Sequence, residues 1–110
     1  MTTAVTEQPV LYSTLASDPD LGELVDLFVS ELPARVKSLQ AALDEADFDA
    51  VGRFAHQLKG AAGSYGFEQL TPTLKQLELL AREHRSLESV QSGLTAVRAM
   101  CERVRSGVPT

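Results

Sequence analysis

Apolar residues recur at intervals of three and four along four stretches of the chain, which is the spacing of an amphipathic helix. The first stretch begins at Asp18–Pro19, an N-cap residue followed by a residue favoured at the first helical position. Pro33 lies inside it and removes one helical hydrogen bond, so the pattern predicts either one kinked helix or two segments around one core. Its apolar positions are Leu21, Leu24, Val25, Phe28, Val29, Leu32, Val36, Leu39 and Leu43.

The second stretch predicts a helix from about Phe48 to about Ser64. Asp47 precedes it as a candidate N-cap, and Gly66 follows as a residue that can take the left-handed conformation at the end of a helix. One narrow stripe of this helix is apolar and is expected to face the core: Val51, Ala55, Leu58, Ala62 and Tyr65.

Two further helices follow. Thr71–Pro72 predicts a start with threonine as N-cap, and the helix then runs from about Thr73 to about His84. Ser86 is a candidate N-cap for the last helix, which is expected to end at Gly107. The inward positions of the last helix are Leu87, Val90, Leu94, Val97, Cys101 and Val104.

These elements predict an all-α protein. No segment alternates with the period of two that a strand needs, and the connections are short, so neighbouring helices should be antiparallel. We expect an up-and-down four-helix bundle over residues 18–107, preceded by an N-terminal arm, residues 1–17, that is partly disordered. The arm is expected to pack only loosely, through Val10, Leu11, Tyr12 and Leu15.

Composition limits the range of possible functions and partners. A net charge of −5 argues against nucleic acid and against an anionic membrane surface as partners. Cys101 is the single cysteine, so no disulfide forms within the chain, and its place on an apolar stripe predicts an unreactive thiol. Residues 1–4 lack the features of a secretory signal and no apolar run approaches about 20 residues, so we expect a cytoplasmic protein.

Candidate chemistry lies on the outer side of the second helix. His56 is placed roughly 140° from the centre of the apolar stripe and should therefore be exposed. Glycine inside a helix costs about 1 kcal/mol relative to alanine, so several glycines beside one exposed histidine indicate a surface that another backbone approaches closely. The residues expected to form this docking surface are Gly52, Gln57, Gly60 and Gly63.

The motif His56-x-Leu58-Lys59-Gly60, followed by Gly66, resembles the signature of histidine-containing phosphotransfer (HPt) domains. The resemblance extends from about Asp18 to about Arg105. It implies a four-helix bundle that relays phosphoryl groups between receiver-domain aspartates in multistep two-component signalling. It also implies a monomer whose partner is the receiver domain of a response regulator or of a hybrid histidine kinase.

The residues of the motif suit that chemistry. A neutral imidazole is a nucleophile near pH 7, and attack of Nε2 on an aspartyl phosphate would give a phosphohistidine at His56. Lys59, at i+3, lies on the same side and can reach the phosphoryl oxygens, and Gly60, at i+4, leaves room for the incoming receiver. The chain has no glycine-rich nucleotide loop and no carboxylate cluster, so Mg²⁺ would be the receiver's and this chain would be carrier rather than enzyme.

The resemblance also suggests how the ring is oriented. HPt domains often place a polar residue on the next helix to accept a hydrogen bond from Nδ1–H, and Glu78 stands at that position here. Arg82, one turn further on, is a candidate second cation near the phosphate; the alternative is a surface residue that is either solvated or paired with Glu78. Pro72 departs from the family pattern and could shift the register of this helix.

Other functions are less well supported. A di-iron bundle needs Glu-x-x-His pairs, and neither His56 nor His84 has a glutamate three residues before it. An enzyme using His56 as general base would need a pocket that excludes water, which a convex helix surface does not offer. A non-catalytic adaptor that binds a receiver or kinase remains the alternative, because it could keep the same surface.

Overall fold

The computed structural model describes residues 10–107 as a bundle of four α-helices with a short parallel pair of strands, which confirms the all-α prediction. Each helix packs against the next in sequence, and the first also packs against the last. In chain order the elements are β1 (Leu11–Tyr12), α1 (Gly22–Asp44), α2 (Phe48–Ser64), a 3₁₀ turn (Glu68–Leu70), α3 (Thr71–Arg82), α4 (Leu87–Cys101) and β2 (Val104–Arg105).

The core lies between the four helices and draws on each predicted stripe. Phe28 of α1 stacks on Phe67, with ring centroids 5.7 Å apart, and contacts Tyr65 at 5.4 Å. These rings fill the end of the bundle where α2 finishes. The largest side chains that are completely buried are Phe28, Phe67, Leu39, Leu58, Leu70, Leu74, Leu77 and Leu94.

The first helix begins later than predicted. Asp18 does act as a capping residue, since its Oδ1 accepts from the backbone N–H of Asp20 at 2.8 Å and of Leu21 at 3.2 Å. These bonds close a turn, and the regular helix starts only at Gly22, with Leu21 as N-cap. Leu24, predicted to face the core, is 42% exposed, whereas its neighbour Val25 in the same turn is completely buried.

Pro33 lies inside α1 without dividing it. The helix is continuous from Gly22 to Asp44, so of the two alternatives the single helix is the one observed. Leu32 and Leu39, on either side of the proline, are both buried, and the apolar stripe therefore stays in phase across it.

The limits of α2 confirm the prediction. The side chain of Asp47 accepts from the backbone N–H of Ala50 at 3.1 Å, as an N-cap does. Gly66 follows the C-cap residue Tyr65 and has φ +82°, the left-handed conformation expected there. The two ends of the helix that carries His56 are thus fixed by local chemistry.

The third helix does not begin as predicted. Leu70, not Thr71, is the N-cap of α3, and it makes no side-chain capping bond. The 3₁₀ turn Glu68–Leu70 runs directly into the helix, which lets Pro72 lie in the first turn where its missing N–H needs no partner.

The last helix has the predicted N-cap, but the first and last residues of its predicted apolar stripe are placed differently from expectation. Ser86 is the N-cap, as predicted, and accepts from the N–H of Ser89 at 3.1 Å. Leu87 is 53% exposed rather than inward, because it is the first residue of the helix. The helix ends at Cys101, so Val104, expected on the same helical stripe, reaches the core from β2 instead.

The described part of the predicted N-terminal arm is joined to the bundle. Leu11 and Tyr12 pair in parallel with Val104 and Arg105, although no strand was expected there. Thr14 N–H donates to the carbonyl of Gly66 at 2.9 Å. Leu11 and Leu15 pack against the core as predicted, while Val10 is 43% exposed; residues 1–9 of the arm lie outside the described residues.

Candidate phosphoryl-acceptor site

His56 projects from the middle of α2 and its side chain is 62% exposed. The apolar stripe of the helix explains this position, because Ala55 and Leu58 are buried on the opposite side. The predicted exposure is therefore confirmed. An imidazole held this way on a regular helix has one edge against the protein and one edge open to a partner.

Glu78 of α3 lies against the inner edge of the ring. Its Oε2 is 3.1 Å from Nδ1 of His56, so the residue expected to orient the ring is in contact with it, and Pro72 has not shifted the register of α3 away from the site. The Glu78 side chain is only 11% exposed. The carboxylate is thus buried between α2 and α3, directly beneath the imidazole.

Two cations share the same carboxylate. Lys59 Nζ donates to Oε1 of Glu78 at 2.8 Å, and Arg82 Nε donates to Oε2 at 2.9 Å. The Lys59 side chain is 25% exposed and that of Arg82 is 52% exposed. Arg82 and Lys59 are therefore both paired with Glu78 in this structure.

These contacts determine the charge of Glu78. Burial alone would raise the pKa of this carboxyl group, but hydrogen bonds from Lys59 and Arg82, together with the positive charge of Lys59 and the interaction with His56, outweigh it and lower the pKa from 4.5 to about 2. Glu78 is therefore ionised at neutral pH and can only accept hydrogen bonds.

The tautomer of a neutral His56 follows from that acceptor. Because the ionised Glu78 has no proton to donate, a hydrogen bond at 3.1 Å requires the proton on Nδ1. The lone pair then belongs to Nε2, on the other edge of the ring. The nitrogen that carries the lone pair is the one directed away from the carboxylate.

Gly52 does not belong to the exposed surface on which it was predicted to lie. It is buried, and a Cβ built on it would be 3.2 Å from Cγ of Arg82 and 3.8 Å from Cβ of Ala81. The helical projection missed this because it treats α2 alone, whereas α3 crosses over this turn and covers it.

The remaining residues of the proposed docking surface are exposed, as predicted. Gln57, Gly60 and Gly63 all face solvent. A Cβ added at Gly60 or Gly63 would meet nothing within 4 Å. No contact inside the protein therefore requires glycine at these two positions, and both leave the backbone of α2 bare beside His56.

The second histidine lies in a different setting. His84 follows the end of α3 with φ +53°, and its Nε2 is 3.4 Å from Asp49 Oδ1. Its ring meets Phe48 edge-on at 5.6 Å. No lysine or arginine is among these contacts, so His84 lacks the surroundings that distinguish His56.

Other kinds of site are not apparent in residues 10–107. Within them, no group of three or more histidine, cysteine, aspartate or glutamate side chains could hold a metal ion. No helix in the described part combines the length and the apolar character needed to cross a membrane. Cys101 is partly buried, and burial followed by the nearby charge of Glu102 raises the pKa of its thiol to about 11, as expected of an unreactive cysteine.

The protein is thus a helical bundle with an exposed histidine backed by a buried carboxylate and two cations. The Hpt domain model matches residues 23–107, most of the chain, and the chain belongs to the Hpt domain family. Proteins of this family are phosphocarrier modules of two-component signalling that interact with receiver domains and are not catalysts themselves. Among curated proteins and among solved structures, no significant match to the chain is found.

Proposed function

We propose that this protein relays a phosphoryl group between receiver-domain aspartates in a multistep phosphorelay, with His56 as the phosphorylated residue. The observation that carries the proposal is the contact of Nδ1 with Glu78 at 3.1 Å beneath a ring that is 62% exposed. This contact leaves Nε2 both unprotonated and accessible, which are the two requirements for a nucleophilic imidazole.

The transfer step uses the Nε2 lone pair of His56. It attacks the phosphorus of the receiver's aspartyl phosphate, an N–P bond forms, the P–O bond to the aspartate breaks, and the aspartate leaves as a carboxylate. Positive charge develops on the imidazole while Nδ1 keeps its proton. Glu78 stabilises that charge because it is ionised and in contact with Nδ1.

Lys59 and Arg82 would bind the oxygen atoms of the transferred phosphoryl group. In the unphosphorylated protein both donate to Glu78. The arriving phosphoryl group carries up to two negative charges, and a lysine on a flexible stem can exchange one anionic partner for another nearby. Lys59 is at i+3 from His56 on the same helix, so we assign it to the phosphoryl oxygens, and Arg82 is the second candidate.

The partner would be the receiver domain of a response regulator or of a hybrid histidine kinase in the cytoplasm. Gln57, Gly60 and Gly63 would form the docking surface, because a bare helix backbone beside the ring allows close approach. The receiver would supply the Mg²⁺ used in the transfer. The chain would act as a monomer and as carrier, with no ATP site and no nucleic-acid or membrane partner.

The decisive experiment is phosphoryl transfer from receiver domains of the same organism charged with acetyl phosphate. The chain is tested as wild type, as His56→Gln, and as the matched control His84→Asn, which keeps a residue type that tolerates positive φ. We expect an acid-labile, base-stable phosphate on wild type and on His84→Asn only. His56→Gln should fold normally, because the side chain is mostly exposed.

The alternative function has a distinct outcome in the same experiment. An adaptor that binds a receiver or kinase without phosphoryl transfer would bind one partner tightly and accept no phosphate from any of them. That result, or equal phosphorylation of His56→Gln and wild type, would contradict the relay.

A further inference from the structure

The turn of α2 that precedes His56 contains a buried glycine beneath an arginine. Gly52 lies four residues before His56, and a Cβ built on it would be 3.2 Å from Cγ and 3.8 Å from Cζ of Arg82. The arginine side chain therefore passes directly over the Cα of Gly52. A glycine in the interior of a helix is less stable than an alanine, and α2 nevertheless has one at this position.

The conformation of the Arg82 side chain determines which group its guanidinium contacts. Nε donates to Oε2 of Glu78 at 2.9 Å, and this is the same oxygen that lies 3.1 Å from Nδ1 of His56. Oε1, in turn, accepts from Lys59 at 2.8 Å. Each carboxylate oxygen thus has a cationic donor, and the carboxylate cannot rotate without breaking one of these two bonds.

We propose that Gly52 is a positioning residue for the acceptor histidine. Because it has no side chain, the Arg82 side chain can lie over it and donate to Glu78. This bond holds Oε2 of Glu78 against Nδ1 of His56, and the lone pair of the ring therefore stays on Nε2. The role of that lone pair in phosphoryl transfer rests on the proposed function. The arrangement of the ring itself does not, and it can be measured in the free protein.

The chemistry of histidine makes this arrangement consequential. A neutral imidazole carries its single proton on either nitrogen, and the hydrogen bond at one nitrogen sets which one. If Arg82 is displaced, Oε2 loses a donor and the carboxylate is free to turn toward Lys59. The Nδ1–H form of His56 then loses its acceptor, and the form protonated on Nε2, which cannot attack phosphorus, becomes more populated.

Gly52→Ala is the variant that tests this. Arg82 is 52% exposed and can yield to the added methyl group, so the protein should fold, and alanine is the better helix former. The gain in helix propensity offsets part of the stability that is lost with the Arg82–Glu78 hydrogen bond, so the midpoint of thermal unfolding is expected to move by only a few degrees. Unfolding of Gly52→Ala would overturn the proposal, since the pocket would then serve packing rather than the placement of Arg82.

The primary measurement is the tautomer of each histidine ring by two-bond ¹⁵N–¹H NMR, recorded over a series of rising pH until the ring signals no longer change. We expect Gly52→Ala and Arg82→Ala to reduce the Nδ1–H form of His56. The His84 signals serve as an internal control, because that ring contacts Asp49 and Phe48 rather than Glu78. An unchanged His56 tautomer in Gly52→Ala would overturn the proposal.

The double variant separates positioning from a direct effect on α2. If Gly52 acts through Arg82, Gly52→Ala should change nothing further in the Arg82→Ala background, both in the ring tautomer and in the transfer rate. Equal effects of Gly52→Ala in the two backgrounds would contradict the mechanism.

Transfer from a charged receiver gives the second readout, and a severalfold slower rate is expected for Gly52→Ala at a temperature where the variant is fully folded. Failure of wild type to accept phosphate from any receiver would refute the proposed function, while the tautomer measurements would still decide the role of Gly52.

Discussion

The two carboxylate oxygens of Glu78 contact three partners: the imidazole of His56 and the side chains of Lys59 and Arg82. The Glu78 side chain holds Nδ1 of His56 at 3.1 Å, Lys59 at 2.8 Å and Arg82 at 2.9 Å while only 11% of it is exposed. Burying an ionised carboxylate without these donors would lower the stability of the folded protein. The two cations keep it ionised, and its ionisation in turn keeps the histidine proton on Nδ1.

Glu78→Gln tests the charge of this acceptor separately from its shape. The amide oxygen can still accept from Nδ1–H, but it cannot balance the positive charge that develops on the ring. We expect transfer to His56 to slow by roughly tenfold, about 1.4 kcal/mol in the barrier, without being abolished. Stopped-flow measurement with a charged receiver gives the rate, and a rate equal to wild type would show that the carboxylate charge has no part in the step.

Lys59→Ala tests the cation assigned to the phosphoryl group. We expect either slower transfer or a shorter lifetime of the phosphohistidine, because a charge close to the phosphoryl oxygens is lost. Lys37→Ala is the matched control, since Lys37 lies on α1, beside a cavity between α1 and α4 that none of the site residues lines. Equal rates and lifetimes in Lys59→Ala, Lys37→Ala and wild type would remove Lys59 from the mechanism.

Among the elements, α2 depends most on how it ends. Gly66 has φ +82°, and a Cβ there would overlap Ser13 Oγ and lie 2.9 Å from Thr14 Oγ1. The same segment is bonded to the helix end, through Thr14 N–H to the Gly66 carbonyl and Ser13 Oγ to the Tyr65 carbonyl. Gly66 therefore ends α2, and its lack of a side chain also lets residues 13–14 pack against the end of this helix.

Gly66→Ala should accordingly be severe, with a loss of about 2–4 kcal/mol in the free energy of unfolding from backbone strain and overlap combined. Chemical denaturation measures it. Gly107→Ala is the control for strain alone, because Gly107 has φ +83° but a Cβ there would meet nothing within 4 Å; about 1 kcal/mol is expected. Equal losses in the two variants would contradict the role given to the Ser13–Thr14 contact.

The helices themselves could be predicted from the sequence where local chemistry decides. Asp47 and Ser86 were identified as N-caps, and Gly66 as the left-handed residue that follows α2, from residue type and position, and the structure shows all three in these roles. The periodic stripe likewise placed Val51, Ala55 and Leu58 inward and His56 outward. These features depend on one helix and its own ends.

Features that depend on a second element could not be predicted in this way. Gly52 is buried because α3 passes over it, and Val104 reaches the core from a strand because β1 offers it a partner. The contact between Lys59 and Glu78 depends likewise on the packing of α2 against α3. Helical periodicity contains no information on such crossings, so Lys59 was placed correctly on α2 without its partner being foreseen.

For the whole molecule, the charge cluster at Glu78 should appear in the pH dependence of stability. Its pKa is depressed in the folded state, from 4.5 to about 2, so its contribution to stability is complete above pH 4.5 and is lost as the pH falls toward 2. At neutral pH the contribution is about 2–3 kcal/mol, less than the full shift implies because Arg82 is half exposed.

Urea denaturation of wild type and Glu78→Gln between pH 7 and pH 2 measures this contribution directly. Wild type should be the more stable protein at pH 7, and the difference should shrink steadily below pH 4.5 and nearly vanish near pH 2. Asp49→Asn is a suitable control, because Asp49 is exposed and its contact with His84 is long, at 3.4 Å. A difference for Glu78→Gln that stays constant over the whole range would contradict the ionised, cation-bound carboxylate.

The most direct test of the whole account is to find which nitrogen carries the phosphoryl group. The ¹⁵N-labelled protein is phosphorylated by a charged receiver domain and examined by ¹⁵N and ³¹P NMR, which distinguishes the two ring nitrogens of each histidine. The proposed function predicts a phosphoryl group on Nε2 of His56 and on no other atom. Phosphate on Nδ1 of His56, or on His84, would contradict the arrangement in which Glu78 occupies the inner nitrogen and leaves the outer one to the partner.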